Sequence, residues 1–432
     1  MTFPRYPEYK NSGVEWVGEV PVHWNVERLK VSIKTCRNGI WGNDANGNEY
    51  DIPCVRVADF NRIRLEVQQE VPTIRNVTEK EQLSRTLSKG NLLIEKSGGG
   101  ENQPVGCVVL YKSTHKAVCS NFIAKIELAP NMDPSFWRFV HSAAYSIRLT
   151  IGSINQTSGI QNLDQDRYFN ERSAYPPFNE QIAIAKFLEI ETEKITILVA
   201  EQEKLIELLK EKHRVFITNA VTKGLDRTVE MKESGIDWIG LIPKHWTVRK
   251  LKFLAEIRTG DKDSENSVED GDYPFFVRSQ TIERINSYTY DCEAILTAGD
   301  GAGVGKVFHY VNGPFDFHQR VYMLNNFKEV TGKYLFHFFK ENFIKVALEG
   351  GAKSTVDSLR RPMLTNFSIS FPDIEEQKNI VTVIEEKAAE FDQLILQASN
   401  AIQLLQERRS ALISAAVTGQ IDVRNYQPKE IA

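Results

Sequence analysis

The stretch GDGAGVGK, Gly299–Lys306, sets four glycines beside a lysine, a composition that could wrap a phosphate in backbone N–H groups. A nucleotide-binding P-loop needs Gly five residues before Gly305, where Asp300 stands, and a Mg²⁺-binding Ser or Thr after the lysine, where Val307 stands. The pattern G-x-G-x-x-G fails as well, because Val304 and Lys306 occupy the places of its last glycine. The stretch therefore reads as a glycine-rich turn between strands, with Lys306 at its edge and backbone N–H groups able to approach a phosphate.

Other residues tempt toward chemistry and fall short of it. YPPF, Tyr175–Phe178, has the outline of the [Asp/Asn/Ser]-Pro-Pro-[Tyr/Phe] loop of DNA amino-methyltransferases, but Tyr175 cannot accept hydrogen bonds from a target amino group as an acid or amide does. No glycine-rich S-adenosylmethionine loop accompanies it, so the prolines read as a stop between a globular body and a helix. His23 and His245 each follow a Pro-x step and precede Trp, without a second ligand at metal spacing, and read as packing residues. No Ser-His-Asp arrangement or Asp/Glu-x-Lys nuclease cluster stands out. Five scattered cysteines (Cys36, Cys54, Cys107, Cys119, Cys292) form no C-x-x-C pair, which argues against a zinc site and a disulfide framework and for a reducing, cytoplasmic setting.

With 432 residues the chain is long for one core and predicts two or three domains. A net charge of −4 excludes nucleic-acid binding by bulk attraction, so any such binding needs a local basic surface or a partner's. No run of about 18 apolar residues suggests a membrane span, and MTFPRYPEYK lacks a secretory apolar segment.

The elements that must position any site come in duplicate. SGVEWVGEVPVHW, Ser12–Trp24, returns as SGIDWIGLIPKHW, Ser234–Trp246, and these stretches hold four of the six tryptophans: Trp16, Trp24, Trp238 and Trp246. A second pair runs from Tyr175 to Asp226 and from Ser370 to Asp422, matching at Pro176/Pro372, Glu180/Glu376, Gln181/Gln377, Leu198/Leu394, Ala220/Ala416 and Asp226/Asp422. The chain is thus a Trp-bearing segment, a body and a long charged stretch, then all three again.

Each charged stretch reads as one helix of roughly 40 residues, or about 60 Å. It opens after Pro with a Glu-rich first turn and stops near Gly224 or Gly419. Steps of three and four through Ile195, Leu198, Gln202, Leu205, Leu209, Lys212 and Phe216 predict a coiled-coil seam. Its counterpart passes through Phe391, Leu394, Ala398, Ala401, Leu405, Arg408 and Leu412, and an antiparallel pair is expected. The bodies read as mixed α/β: VGCVVLY and AKIEL in the first and QRVYML in the second suggest strands. DPSFWRFVHSAAYSIR and GKYLFHFFKENFIKVAL suggest corresponding helices.

Taken together, EWVGEVPVHW and DWIGLIPKHW, the helix starts PPFNEQ and PDIEEQ, and the helix ends NAVTKGLD and SAAVTGQID resemble the specificity subunits of Type I restriction–modification systems. The resemblance covers most of the chain. It implies two mixed α/β (α+β) target-recognition domains separated by two long helices that form an antiparallel coiled coil, with an internal pseudo-twofold repeat. The boundaries expected are 1–177 and 225–373 for the recognition domains, 178–224 and 374–424 for the helical regions, and 425–432 for a tail. It further implies a non-catalytic reader of a bipartite double-stranded DNA site, partnered by two methyltransferase subunits and by ATP-dependent restriction subunits. This chain would bind no cofactor, and S-adenosylmethionine, ATP and Mg²⁺ would belong to the partners. A spacer of about 60 Å would match roughly 17 base pairs at about 3.4 Å each.

Base edges are read by Arg, Lys, Asn, Gln, Ser or Thr on loops able to enter a groove. Residue type and loop placement select Arg56, Asn102, Gln103, Asn155 and Gln156 in the first body. In the second they select Arg278, Ser279, Gln280, Lys306, Gln319, Arg320 and Lys353. The competing readings are a DNA methyltransferase or nuclease with its own site, and a coiled-coil scaffold without DNA contact.

Overall fold

The computed structural model describes residues 3–157, 159–349 and 358–428. The chain forms two compact units: Met1–Glu203 with Asn400–Ala432, and Lys204–Ser399. The principal helices are α1 (Pro134–Ser146), α2 (Phe178–Lys223), α3 (Gly332–Glu349) and α4 (Ile374–Val417). At 46 and 44 residues, α2 and α4 exceed the expected length, and each begins in one unit and ends in the other.

In the first unit a six-stranded sheet runs in the order Ile33–Asn38, Ile123–Leu128, Leu92–Glu95, Val108–Leu110, Glu66–Val67, Phe60–Asn61. Alternation drives the stacking: Leu92 and Ile94 face one core, and Leu93 faces another. Helix α1 starts because Asp133 caps it, its carboxylate accepting from the Phe136 N–H at 2.8 Å, and Pro134 fits the first turn. Its face of Phe136, Trp137, Phe139 and Val140 covers the sheet. Ile184, Phe187 and Leu188 from the start of α2 close this core, with Ile413, Ala416 and Val417 from the end of α4.

The second unit repeats the plan with a sheet ordered Glu256–Thr259, Val321–Asn325, Tyr290–Ala298, Phe308–Phe317, Tyr273–Phe276, Glu283–Ile285. Here α3 supplies Tyr334, Leu335, Phe338, Phe339 and Phe343, and the core is closed by Ala220 and Val221 from the end of α2 and Ile380 and Ile384 from the start of α4.

The repeated motifs are the fastening in each unit. Trp24 is fully buried and donates its indole N–H to Glu180 at 2.9 Å, while Tyr6 donates to the same carboxylate at 2.7 Å. His23 Nε2 lies 2.9 Å from its other oxygen, so this histidine is a polar fastener rather than the packing residue its sequence suggests. In the second unit Trp246 and His245 meet Glu376 at 3.2 and 2.7 Å. The neighbouring glutamine ties each helix start to its body. Gln181 accepts from the Asp133 N–H and donates toward the carbonyl of Asn131; Gln377 accepts from Thr331 and donates to Glu329. Asn131 and Glu329 both hold left-handed φ values, 63° and 61°, so their carbonyls turn toward the glutamine. Gly419 and Gly224 end the other long helix in each unit against Trp24 and Trp246.

The seam expected from the sequence shares alternate positions with the structure. Ile195 is buried, and Leu209, Phe216, Phe391, Leu405 and Leu412 are half-buried. Leu198, Leu205 and Leu394 stand 49%, 43% and 45% exposed. The residues turned inward between the shared positions are Val199, Ile206 and His213 on α2, and Ile395, Ile402 and Arg409 on α4, one place further along. In the second unit His213 stacks on Phe391 with centroids 5.0 Å apart. In the first, Arg409 donates to Thr196 Oγ1 at 2.8 Å. The polar interruption of each stripe thus falls at His213 and Arg409, whereas Lys212 and Arg408 are exposed.

Candidate nucleic-acid interface

Each unit sets a short parallel strand pair among mostly antiparallel ones, and the first unit has a further parallel contact between Glu66 and Leu110. Asp51–Val55 pairs with Val118–Cys119, and Tyr273–Phe276 pairs with Phe308–Phe317 through Phe275 and Phe276. Parallel strands release their chains at the same end, so the loops that follow Val55 and Cys119, and those that follow Phe276 and Phe317, leave side by side. A glycine marks the place in each unit. A Cβ on Gly39 would lie 2.1 Å from the Cys119 carbonyl oxygen, and one on Gly260 would lie 2.1 Å from that of Phe317.

In the first unit Arg56 leaves this end. Among the described residues its guanidinium reaches only Asp59, at 3.5 Å, and its buried Nε meets no partner. With Trp41, Glu95, Gly98, Ser120 and Phe122 it lines a hollow of about 460 Å³. Trp41 and Phe122, both partly exposed, are contributors that residue-type selection missed because it sought only polar base readers. Arg75 holds Trp41, its guanidinium 4.5 Å from the ring centre and its Nε donating to the Trp41 carbonyl. Burial pushes the neighbouring Glu95 carboxyl above its ordinary range, although Arg62 pairs with it at 2.7 Å.

The other first-unit candidates fall in separate places. Asn102 and Gln103 are exposed and share a second hollow with Arg62 and Tyr145. Asn155 and Gln156 are exposed on the hairpin strand Ile154–Thr157, whose partner Ile160–Leu163 pairs with Ser97–Gly98.

The second unit draws its candidates closer together. Arg278 and Arg320 each give an Nη1 hydrogen bond of 2.9 Å to Asp300, one to each carboxylate oxygen. Burial works against ionisation of this carboxyl, but the two guanidinium contacts outweigh it and hold it below its ordinary range. Gln319 donates to Asp263 at 2.7 Å, and the Ser279 carbonyl lies 3.0 Å from His309 Nε2. Gln280 and Lys306 are exposed. The glycine-rich stretch is a single 3-10 turn, Gly301–Gly303, joining Tyr290–Ala298 to Phe308–Phe317. Lys353 lies outside the described residues. Among the described residues no group of His, Cys, Asp and Glu is arranged to hold a metal ion.

Residues 243–403 match the family model described as the Type I restriction modification DNA specificity domain. The chain is similar to Type I specificity subunits. It is 28% identical over 182 residues to the Type I restriction enzyme EcoDI specificity subunit of Escherichia coli, covering 42% of this chain and 40% of that protein's length. Toward the MjaVIII specificity subunit of Methanocaldococcus jannaschii it is 24% identical over 340 residues, covering 72% and 76% of the two chains. Among solved structures, the fold is shared with a chain described under "Structural basis underlying complex assembly and conformational transition of the type I R-M system". That match has a TM-score of 0.69 at 14% identity and covers 92% of this chain and 98% of the other. The HsdS subunit from Thermoanaerobacter tengcongensis follows with a TM-score of 0.53 at 14% identity, covering 93% and 98%. The shared fold therefore extends over both units.

Proposed function

We propose that this chain is the DNA-recognition subunit of a Type I restriction–modification complex, with one unit reading each half of a bipartite double-stranded site. The observation that carries this reading is the doubled framework with undoubled loops. The Trp, His, Glu and Gln of the fastenings recur in both units, while the loops at the parallel-pair end carry Arg56, Trp41 and Phe122 in one unit and Arg278, Arg320 and Asp300 in the other. Two readers on one scaffold that differ where they face bases would recognise two different short sequences.

The chain brings no chemistry of its own. Its partners are double-stranded DNA, two methyltransferase subunits docking on the repeated framework, and the restriction subunits. S-adenosylmethionine, ATP and Mg²⁺ reside on those partners. The setting is the cytoplasm; among the described residues no helix is long and apolar enough to cross a membrane. With a net charge of −4, the partners supply much of the phosphate-binding surface. The half-site readers are Arg56, Asn102, Gln103, Asn155 and Gln156 on one side, and Arg278, Ser279, Gln280, Lys306, Gln319, Arg320 and Lys353 on the other. Footprinting of the chain with its methyltransferase partner tests the proposal. Two protected patches around a gap of indifferent sequence are expected, and a single continuous patch would contradict it. Binding of S-adenosylmethionine by the purified chain alone would favour a methyltransferase instead.

A further inference from the structure

Asp300 has no place among residues chosen as base readers, since a carboxylate repels phosphate. The loop around it is nevertheless built to a tight tolerance. A Cβ on Gly299 would come within 2.8 Å of the Arg320 carbonyl oxygen, and one on Gly303 within 2.5 Å of that of Arg278. The two glycines therefore let one loop lie against the backbones of both arginines, and Asp300, which follows the first of them, reaches both guanidinium groups. The Gly299 N–H also donates to the Arg320 carbonyl at 2.8 Å, and its own carbonyl accepts from Leu359.

A guanidinium has five N–H donors in a rigid plane. Among the described residues each arginine spends one nitrogen on Asp300 and its remaining donors meet no other acceptor, and both side chains are exposed, at 42% and 58%. A braced guanidinium has already lost the rotamer freedom that binding would otherwise remove. Its natural target in a major groove is the O6/N7 edge of guanine, which accepts two parallel hydrogen bonds. A phosphate can also take a bidentate guanidinium, but it does not depend on the guanine N7, so removing that atom separates the two targets.

We propose that Asp300 is a positioning residue that fixes Arg278 and Arg320 as a pair of guanine readers, so that the half-site of the second unit contains guanine. This rests on the DNA-recognition reading above and adds the base class. The test uses the full chain with its methyltransferase partner, on the site defined by methylation mapping, with each half assigned to a unit by domain exchange. Replacing guanine in the second unit's half-site by 7-deazaguanine, which lacks N7, should weaken binding about 5- to 150-fold. Asp300→Asn should shrink that discrimination at least several-fold while leaving the first half-site and the salt dependence unchanged. Asp300→Glu, which keeps the charge, should restore part of it. If wild-type complex binds the site but ignores 7-deazaguanine, or if Asp300→Asn weakens all sites equally with discrimination intact, the inference fails. Absence of any specific footprint from wild-type complex would instead overturn the DNA-recognition reading itself.

Discussion

Trp24 donates its indole N–H to Glu180, a residue 156 positions away, and both groups are buried. The second unit repeats the bond between Trp246 and Glu376, which is partly exposed. In each case a body is pinned to the first turn of a long helix while the end of the other long helix rests on the same indole.

Removing the carboxylates should separate the two fastenings in size. Glu180→Ala strands two buried donors, Tyr6 and Trp24, and should cost about 2–4 kcal/mol. Glu376→Ala strands one indole N–H in a more open place and should cost about 1 kcal/mol. Hydrogen-exchange protection of residues 16–28 and 238–250, read variant by variant, checks this. Equal losses in the two units would contradict the account.

The helix-ending glycines make a second unequal pair. Gly419 and Gly224 hold φ values of 73° and 74°, so alanine at either pays about 1–2 kcal/mol of left-handed strain. At Gly419 a Cβ would also come within 2.5 Å of Pro21, whereas at Gly224 its nearest neighbours are 3.5 Å away. Gly419→Ala should therefore lower the unfolding free energy more than Gly224→Ala in urea titrations, and the reverse order would refute the packing argument.

Buried imidazoles predict acid sensitivity. His141, fully buried and 2.8 Å from the Tyr168 hydroxyl, is pushed down to about 4 by burial. His337 is likewise pushed to about 4, chiefly by burial with Lys340 adding to it. The unfolded chain takes up these protons near pH 6.5 and the folded chain does not, so stability is fully present above about pH 6.5 and is lost as pH falls toward 4. At pH 5 the loss from His141 alone should be about 2 kcal/mol. His141→Gln should flatten the profile between pH 7 and 5, and an unchanged slope would show that another group titrates.

Lys306 stands at the edge of the glycine-rich turn and pairs with no carboxylate among the described residues. If it meets a phosphate, Lys306→Ala should weaken binding uniformly across sequences and reduce the salt slope by about one. A change in the recognised sequence would instead place it on a base.

The duplicated order of elements is legible in the sequence because the fastening residues recur in both halves. What those residues fasten is not, since Trp24 and Glu180 meet only after a whole body has folded between them. The paired recurrence of His-Trp and Glu-Gln was the available signal: residues that duplicate together can share a contact. The seam shows a different difficulty. Ile197, Leu198 and Val199 are all apolar, so local spacing accepts any of them. The choice is settled only by following the heptad to His213 and Arg409, polar residues that an apolar search passes over. At the parallel-pair end residue type alone selects Arg278 and Arg320 and passes over Asp300, the acid to which both donate.

Each long helix is shared by both units, so deleting one heptad from each, Gln202–Leu208 with Ala398–Leu404, should preserve the heptad phase and both half-sites. Methylation mapping should then show a shorter unread gap. Altered half-sites would mean that the readers are not independent of the spacer.

The most direct measurement of the central claim is methylation mapping after residues 25–174 are exchanged for the matching body of another specificity subunit. One half of the methylated sequence should change and the other should remain. A change in both halves, or in neither, would contradict the assignment of one half-site to each unit.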